Sequence, residues 1–260
     1  MKNSQILEKQ KIVPAMPDCQ IIILAAGNGS RMSSDLPKVM HMIGGKPMIE
    51  RVLDNCGSVS DDIILVYSST LLEYLTPYKH LCKLALQKEP KGTAHAVAAA
   101  KEYIDNSKPV MVIYGDNPLI TPSIILDLAK HQHLTESAVV TLAFHRDNPA
   151  QYGRIVTDAQ GNFLKIVEHK DADADQKEIK LCNSGIMAFA PGILEKYLPA
   201  CLDEQLQERE LYLTKIIEVC ADAGEKVSYF TAHDADLVVG VNTQEELQEA
   251  SKVLKNQHMD

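Results

Sequence analysis

Residues Ile21–Met32 read IIILAAGNGSRM. Four apolar residues run straight into a loop that holds two glycines and ends near an arginine. A short, continuous apolar run closed by a glycine turn marks a strand buried on both faces, the kind that parallel sheets use. Ligands of open α/β sheets bind at the carboxyl ends of strands, so this loop stands where a ligand would sit. Its chemistry suits an anion. Gly27 and Gly29 allow backbone N–H groups to turn toward a phosphate with no Cβ in the way. Arg31 contributes a planar fork of donors and Lys38 a compact charge, with Pro37 stiffening the approach. Two familiar phosphate loops are excluded. GxGxxG would need glycine where Met32 stands, and the run GGKP at Gly44–Pro47 does not complete GxxxxGK[ST]. A tight strand–helix turn with exposed basic residues is the competing reading of the glycines taken alone.

Working outward, β-rich apolar runs alternate with helical patterns. Strands are expected at Gln20–Leu24, Asp62–Tyr67, Lys83–Gln87, Val110–Tyr114 and Ala138–Phe144. Helices are expected at Pro47–Cys56, Thr93–Ile104 and Thr121–His131. This alternation predicts an α/β fold: a Rossmann-like, mostly parallel sheet with helices on both faces. After Asp147 the texture changes to short strands and turns, including GRIV, FLKIVEH and Asn183–Phe189, which predicts a smaller β-rich lobe. Helices near Gly192–Leu198 and Tyr212–Ala223 and a late strand, VSYF, follow. DLVVGV then runs into Asn242, and Thr243–Glu246 has the form of a capping box opening a last helix. The acidic stretch Asp171–Glu178 reads as a solvated loop. The expected organisation is an N-terminal extension over 1–18, one main domain over 19–242 with its lobe mainly in 147–225, and a C-terminal helix over 243–260.

The chain has 260 residues, 45% of them apolar, enough for a sizeable core. Its net charge of −9 repels nucleic-acid backbones, so small anions gripped by local positive charge are the expected partners, not nucleic acid. No stretch reaches the roughly 20 apolar residues of a membrane span, and the N-terminus lacks a signal-peptide centre, so no membrane partner is expected. Six cysteines with no CxxC pair fit free thiols in a reducing cytoplasm. Self-association is left open.

Further residues carry chemistry. Gln87 offers an amide donor and acceptor that suit a pyrimidine edge. Gly92-Thr93 opens the alanine-rich helix, where a ligand could approach the backbone. Asp116 follows a strand and can hold a hard cation such as Mg²⁺, and Asn242, also after an apolar run, can share it through its amide oxygen. Alone, each has a plainer reading: a surface glutamine, an N-cap threonine, a turn aspartate, an asparagine ahead of a helix cap. His131 and His133, two apart on a helix, diverge and make no zinc pair. His95 reads as a packed residue.

LAAGNGSRM (24–32) with LPK (36–38) resembles the signature of nucleotidyltransferases that join sugar phosphates to nucleotides. QKEPKGTAHAV, YGDNPLI, YGRIV, IVEHKDA, NSGIMAF, LYLTKII and GVNTQEEL follow in order. Together they resemble the uridylyltransferase domain of the bacterial enzymes that make UDP-N-acetylglucosamine. The resemblance implies UTP and N-acetylglucosamine 1-phosphate as substrates and Mg²⁺ as cofactor. It implies that Leu24, Ala25, Ala26, Gly27, Gln87, Gly92 and Thr93 bind the nucleotide, and that Arg31 and Lys38 are catalytic. Gly153, Glu168, Asn183 and Thr214 would form the sugar pocket, and Asp116 and Asn242 would hold the metal. Another sugar or base (CTP or GTP), or a non-catalytic nucleotide-sugar regulator, are the alternatives. Departures from the family pattern are Ser30 for threonine, Ala94 for glycine, Asn117 for valine and Lys215 for aspartate. Asn117 and Lys215 are expected to alter sugar preference. The hexapeptide repeats of the family's acetyltransferase domain do not occur, so a single activity is expected of this chain or of the piece it represents.

Overall fold

The computed structural model describes residues 18–27, 29–32, 34–202 and 210–257. The expected extension, apart from Asp18, lies outside the described residues, as does the Ser30 side chain. The first half comprises β1 (Gln20–Leu24), a small hairpin β2 (Met42–Ile43) and β3 (Lys46–Pro47), α1 (Met48–Gly57), β4 (Ile63–Tyr67), β5 (Lys83–Leu86), α2 (Thr93–Ala99) and β6 (Val110–Tyr114). Then come α3 (Pro122–Thr135), β7 (Val139–His145), β8 (Gly153–Thr157), β9 (Phe163–Val167), α4 (Ala174–Lys177) and β10 (Leu181–Phe189). α5 (Ile193–Tyr197), α6 (Lys215–Asp222), β11 (Val227–Thr231) and α7 (Gln244–Gln257) complete the described elements.

The main sheet runs β11-β7-β10-β6-β1-β4-β5. All of its neighbours pair in parallel except β10, which is antiparallel to both β6 and β7. β1 shows why strand and helix layers alternate. Ile21 and Ile23 face a core shared with α1, α3 and α7, whereas Ile22 and Leu24 face one shared with α2, α5 and α6. Every residue of β1 is buried, as the unbroken apolar run requires. α1 buries Met48, Ile49, Val52, Leu53 and Cys56, one stripe at helical spacing.

The chain moves outward from β1 through β4 to β5, then returns to β6 on the other side of β1. The crevice between the carboxyl ends of β1 and β6 is therefore the sheet's switch point, where α/β folds bind ligands. Register places Leu24 beside Tyr114, so the glycine loop and the Gly115-Asp116 turn emerge side by side. β10 changes partners along its length. Met187–Phe189 pair with β6, whereas Cys182 and Asn183 pair with β8. A bulge lies between, with Gly185 at φ +83°. β8 and β9 thus form an antiparallel ribbon beyond the end of β6, and a cleft opens between the two halves.

Some expected boundaries differ. The alanine-rich helix stops at Ala99 and passes into a 3₁₀ turn, because buried Gln20 binds Tyr103 O (2.9 Å) and Asp105 N (3.0 Å) and captures the backbone there. α3 runs on to Thr135, where Glu136 at φ 52° caps it and the buried Gln132 amide donates to Ser137 O at 2.9 Å. The acidic stretch contains α4, opened by a reciprocal capping box of Asp173 and Gln176. α6 starts only at Lys215, because Leu211 is held in an extended ladder with residues 91–94. All six cysteines are free, five of them buried. Burial raises Cys19, Cys82 and Cys220 to about 11 and Cys201 to about 12, from an ordinary 9.0. Among the described residues no helix is long and apolar enough to cross a membrane.

Candidate active site

The cleft has a volume of about 1510 Å³. Leu24, Ala25, Ala26, Gly27, Arg31, Lys38, Gln87, Gly92, Thr93, Asp116, Glu168, Thr214 and Asn242 all line it. Gly153 and Asn183 do not line it; they support its wall.

One group gathers at the switch point. Lys38 Nζ touches Asp116 Oδ2 and donates to Asn242 Oδ1 at 3.1 Å. Arg31 donates to the same Asn242 oxygen at 3.0 Å. Residues 31, 38, 116 and 242 are thus drawn together from distant parts of the chain. Each position has a local cause. Gly29 adopts φ +58° and lies so close to Lys38 that a Cβ there would fall 2.7 Å from Lys38 Cβ. Gly27 needs no unusual φ, and nothing lies within 4 Å of where its Cβ would stand. Asn242 precedes α7, whose capping box forms: Glu246 N binds Thr243 Oγ1 and Thr243 N binds Glu246 Oε2, both at 3.2 Å. The same Glu246 carboxylate accepts from Asn242 N at 2.6 Å.

The donors here fit a hard divalent cation. A carboxylate oxygen and an amide oxygen already share one cationic partner, the Lys38 ammonium, and both are oxygen donors of the type Mg²⁺ takes. Mg²⁺ draws the rest of its shell from water and phosphate, so two protein donors suffice. No group of three or more His, Cys, Asp or Glu able to hold a metal occurs among the described residues.

A second group lies around Gln87, which follows β5 and is buried at 7% exposure. Its amide nitrogen reaches Gly92 O at 3.1 Å and His95 Nδ1 at 3.2 Å. His95 therefore orients Gln87, a role the sequence did not reveal. Gly92 sits at φ +111°, and a Cβ on it would lie 2.5 Å from Leu211 O and 2.6 Å from Leu211 N. Only glycine allows the ladder that passes there: Leu211 N to Lys91 O at 2.8 Å and Ala94 N to Leu211 O at 2.9 Å. Thr93 Oγ1 completes it by accepting from Leu213 N at 2.8 Å.

The third group is the lobe. Thr214 donates to Glu168 Oε1 at 3.1 Å. Gly153 pairs with Asn183 in the β8–β10 register, and its absent Cβ would lie 3.3 Å from Glu168 Oε2. Asn183 is 6% exposed, and its Oδ1 accepts from Thr141 Oγ1 (2.7 Å) and Gly185 N (3.0 Å). It holds the β10 bulge in shape.

Sequence reasoning missed Tyr114, Glu210 and Tyr212, which also line the cleft. Tyr114 ends β6 opposite Leu24, so the strand-end argument that found Asp116 could have found it. Its ring packs on Gly185, and burial pushes its phenol up. Glu210 and Tyr212 had no local signal, because the ladder to residues 91–94 brings them in. Lys215 lines the cleft and pairs with Glu218 at 2.7 Å. Asn117, expected to alter sugar preference, stands behind the cleft. It is 2% exposed, does not line the cleft, and binds Val238 O instead, so it does not touch a sugar there.

A cleft at the switch point is where a sheet of this kind binds its ligand, and the chain belongs to the nucleotidyl transferase family, whose profile matches residues 20–252. It is 39% identical over 239 residues to Bifunctional protein GlmU of Desulfotalea psychrophila, covering 90% of this chain and 70% of that protein. It is 36% identical to Bifunctional protein GlmU of Paracoccus denitrificans, over 87% of this chain and 50% of that one. The chain thus spans about half the length of most of the relatives it matches. A Bacillus anthracis crystal structure provisionally described as a glucose-1-phosphate thymidylyltransferase superposes with a TM-score of 0.70 at 18% identity. That match covers 90% of this chain and 94% of the other and speaks to the fold alone.

Proposed function

We propose that this nucleotidyltransferase converts UTP and N-acetylglucosamine 1-phosphate to UDP-N-acetylglucosamine and pyrophosphate. The observation that carries the reading is the meeting of Arg31, Lys38, Asp116 and Asn242 at the switch point. In the reaction, a phosphate oxygen of the sugar attacks the α-phosphorus in line, and the bond to the bridging oxygen of pyrophosphate breaks. The attacking oxygen is already anionic near neutral pH, so catalysis is positioning and charge neutralisation. Arg31 holds the leaving pyrophosphate, and Lys38 offsets charge on the phosphates. Asp116 and Asn242 are the residues that would hold Mg²⁺, which when bound neutralises phosphate charge. Leu24–Gly27 offer backbone groups to the nucleotide, Gln87 reads the base, and Gly92-Thr93 admit it closely. Glu168 and Thr214 take the sugar hydroxyls and acetamido group, and Gly153 and Asn183 shape the wall behind them. We assign the lobe to residues 147–225 of a domain over 19–242, and the free thiols support a cytoplasmic setting.

Pyrophosphate release across a grid of nucleoside triphosphates and sugar 1-phosphates tests this. UTP with N-acetylglucosamine 1-phosphate should be the best pair. A CTP or GTP pair, or another sugar, that turns over better would replace the substrate assignment. Binding of UDP-sugars without pyrophosphate release would support a regulator instead.

A further inference from the structure

We infer that Asn117 is a positioning residue for the cation-binding pair Asp116 and Asn242, an inference that rests on the metal reading above. Asn117 stands where the family pattern has an apolar valine. At 2% exposure its side chain is buried, and its amide donates to Val238 O at 2.9 Å. One residue earlier, Asp116 O accepts from Val241 N at 2.8 Å. Two consecutive residues after β6 therefore clamp a segment that ends at Asn242, one bond at each end of residues 238–241. The segment has no regular structure of its own to hold it, since the short 3₁₀ turn before it ends at Leu237. Its Val238 and Val241 are buried, and Gly240 lies against the carboxylate and the amide, 3.5 Å from Asp116 Oδ1 and 3.6 Å from Asn242 Nδ2 at its Cβ position. The spacing of the two oxygens is thus set from behind by a side chain that never enters the cleft. Without the Asn117 donor, Val238 O is left unpaired in an apolar setting, and the segment relaxes to seek a partner.

The test measures the affinity of UDP-N-acetylglucosamine by calorimetry, with Mg²⁺ and with EDTA. In the wild type Mg²⁺ should tighten binding. In Asn117→Val the affinity in EDTA should be unchanged, whereas the Mg²⁺ gain should shrink roughly tenfold, the scale of one lost hydrogen bond to a buried group. Asn55→Ala serves as the structural control. It removes a bond from α1 to Ile120 O (2.8 Å) near the same turn without touching residues 238–242, and its Mg²⁺ gain should stay at the wild-type level while its melting temperature falls. An Asn117→Val chain that keeps the full Mg²⁺ gain, or an Asn55→Ala chain that loses it equally, overturns the positioning role and leaves the metal reading intact. A wild type with no Mg²⁺ dependence overturns both.

Discussion

Replacing Gly92 with alanine should separate the role of the backbone from that of the side chains in the cleft. The residue adopts φ +111°, ψ −178°, a region that side chains other than glycine's hardly enter, at a cost of about 1–3 kcal/mol. Space is the second obstacle. The new Cβ would lie 2.5 Å from Leu211 O and 2.6 Å from Leu211 N, and backbone cannot swing aside as a flexible side chain can. The ladder joining residues 91–94 to 211–213 must therefore move, with roughly 1 kcal/mol at stake for each hydrogen bond that weakens. A loss near 3 kcal/mol follows, or a melting temperature lower by roughly 6 °C for a chain of this size. Urea unfolding gives the stability and pyrophosphate release gives the activity. Because the ladder links the Gln87 group to Thr214, kcat should fall even where the chain remains folded. Gly27→Ala is the contrasting change. Its Cβ meets nothing within 4 Å, so stability should hold within about 0.5 kcal/mol while the KM for the nucleotide rises. Gly92→Ala unfolding at the wild-type urea concentration with wild-type turnover would refute this account of the glycine.

Asp116→Ala should lower turnover by at least about 10²-fold with a smaller effect on nucleotide affinity, and normal rates at limiting Mg²⁺ would remove the metal assignment. Gln87→Ala should narrow the preference for UTP over CTP by roughly tenfold, and His95→Ala should do so more weakly; selectivity unchanged in both would end the base-reading role. Alkaline pH should destabilise the fold. Burial holds Cys19, Cys82, Cys201 and Cys220 protonated to about 11 or 12, whereas unfolded thiols ionise near 9.0. The unfolded chain therefore releases protons first, so stability should be level up to about pH 8.5, then fall as pH rises through 9 toward 11. Urea midpoints that stay flat across that window would contradict the buried thiols.

Much of this was legible in the sequence, and the reason is local. The apolar run of β1 specifies a strand buried on both faces, because each of its residues must leave water whichever way it points. Thr121 with Pro122 opens α3, and Thr243 with Glu246 opens α7, because capping is a contact between residues three apart. The strand-end rule placed the glycine loop and Asp116 at one edge of the sheet, because a parallel sheet puts all its carboxyl ends there. Other features depend on partners far along the chain. Asn117 read as a residue that alters sugar preference, and burial turns its side chain toward Val238, 121 residues away and behind the cleft. Asn183 read as a ligand residue, but its oxygen is taken by Thr141 and a bulge. His95 became the partner of Gln87 only once α2 had packed beside β5. The sequence by itself thus determined most of the main elements and which chemical groups are available. Only the tertiary structure decided which groups face the cleft and which face each other, because a polar side chain is claimed by the nearest partner that folding brings within hydrogen-bond reach.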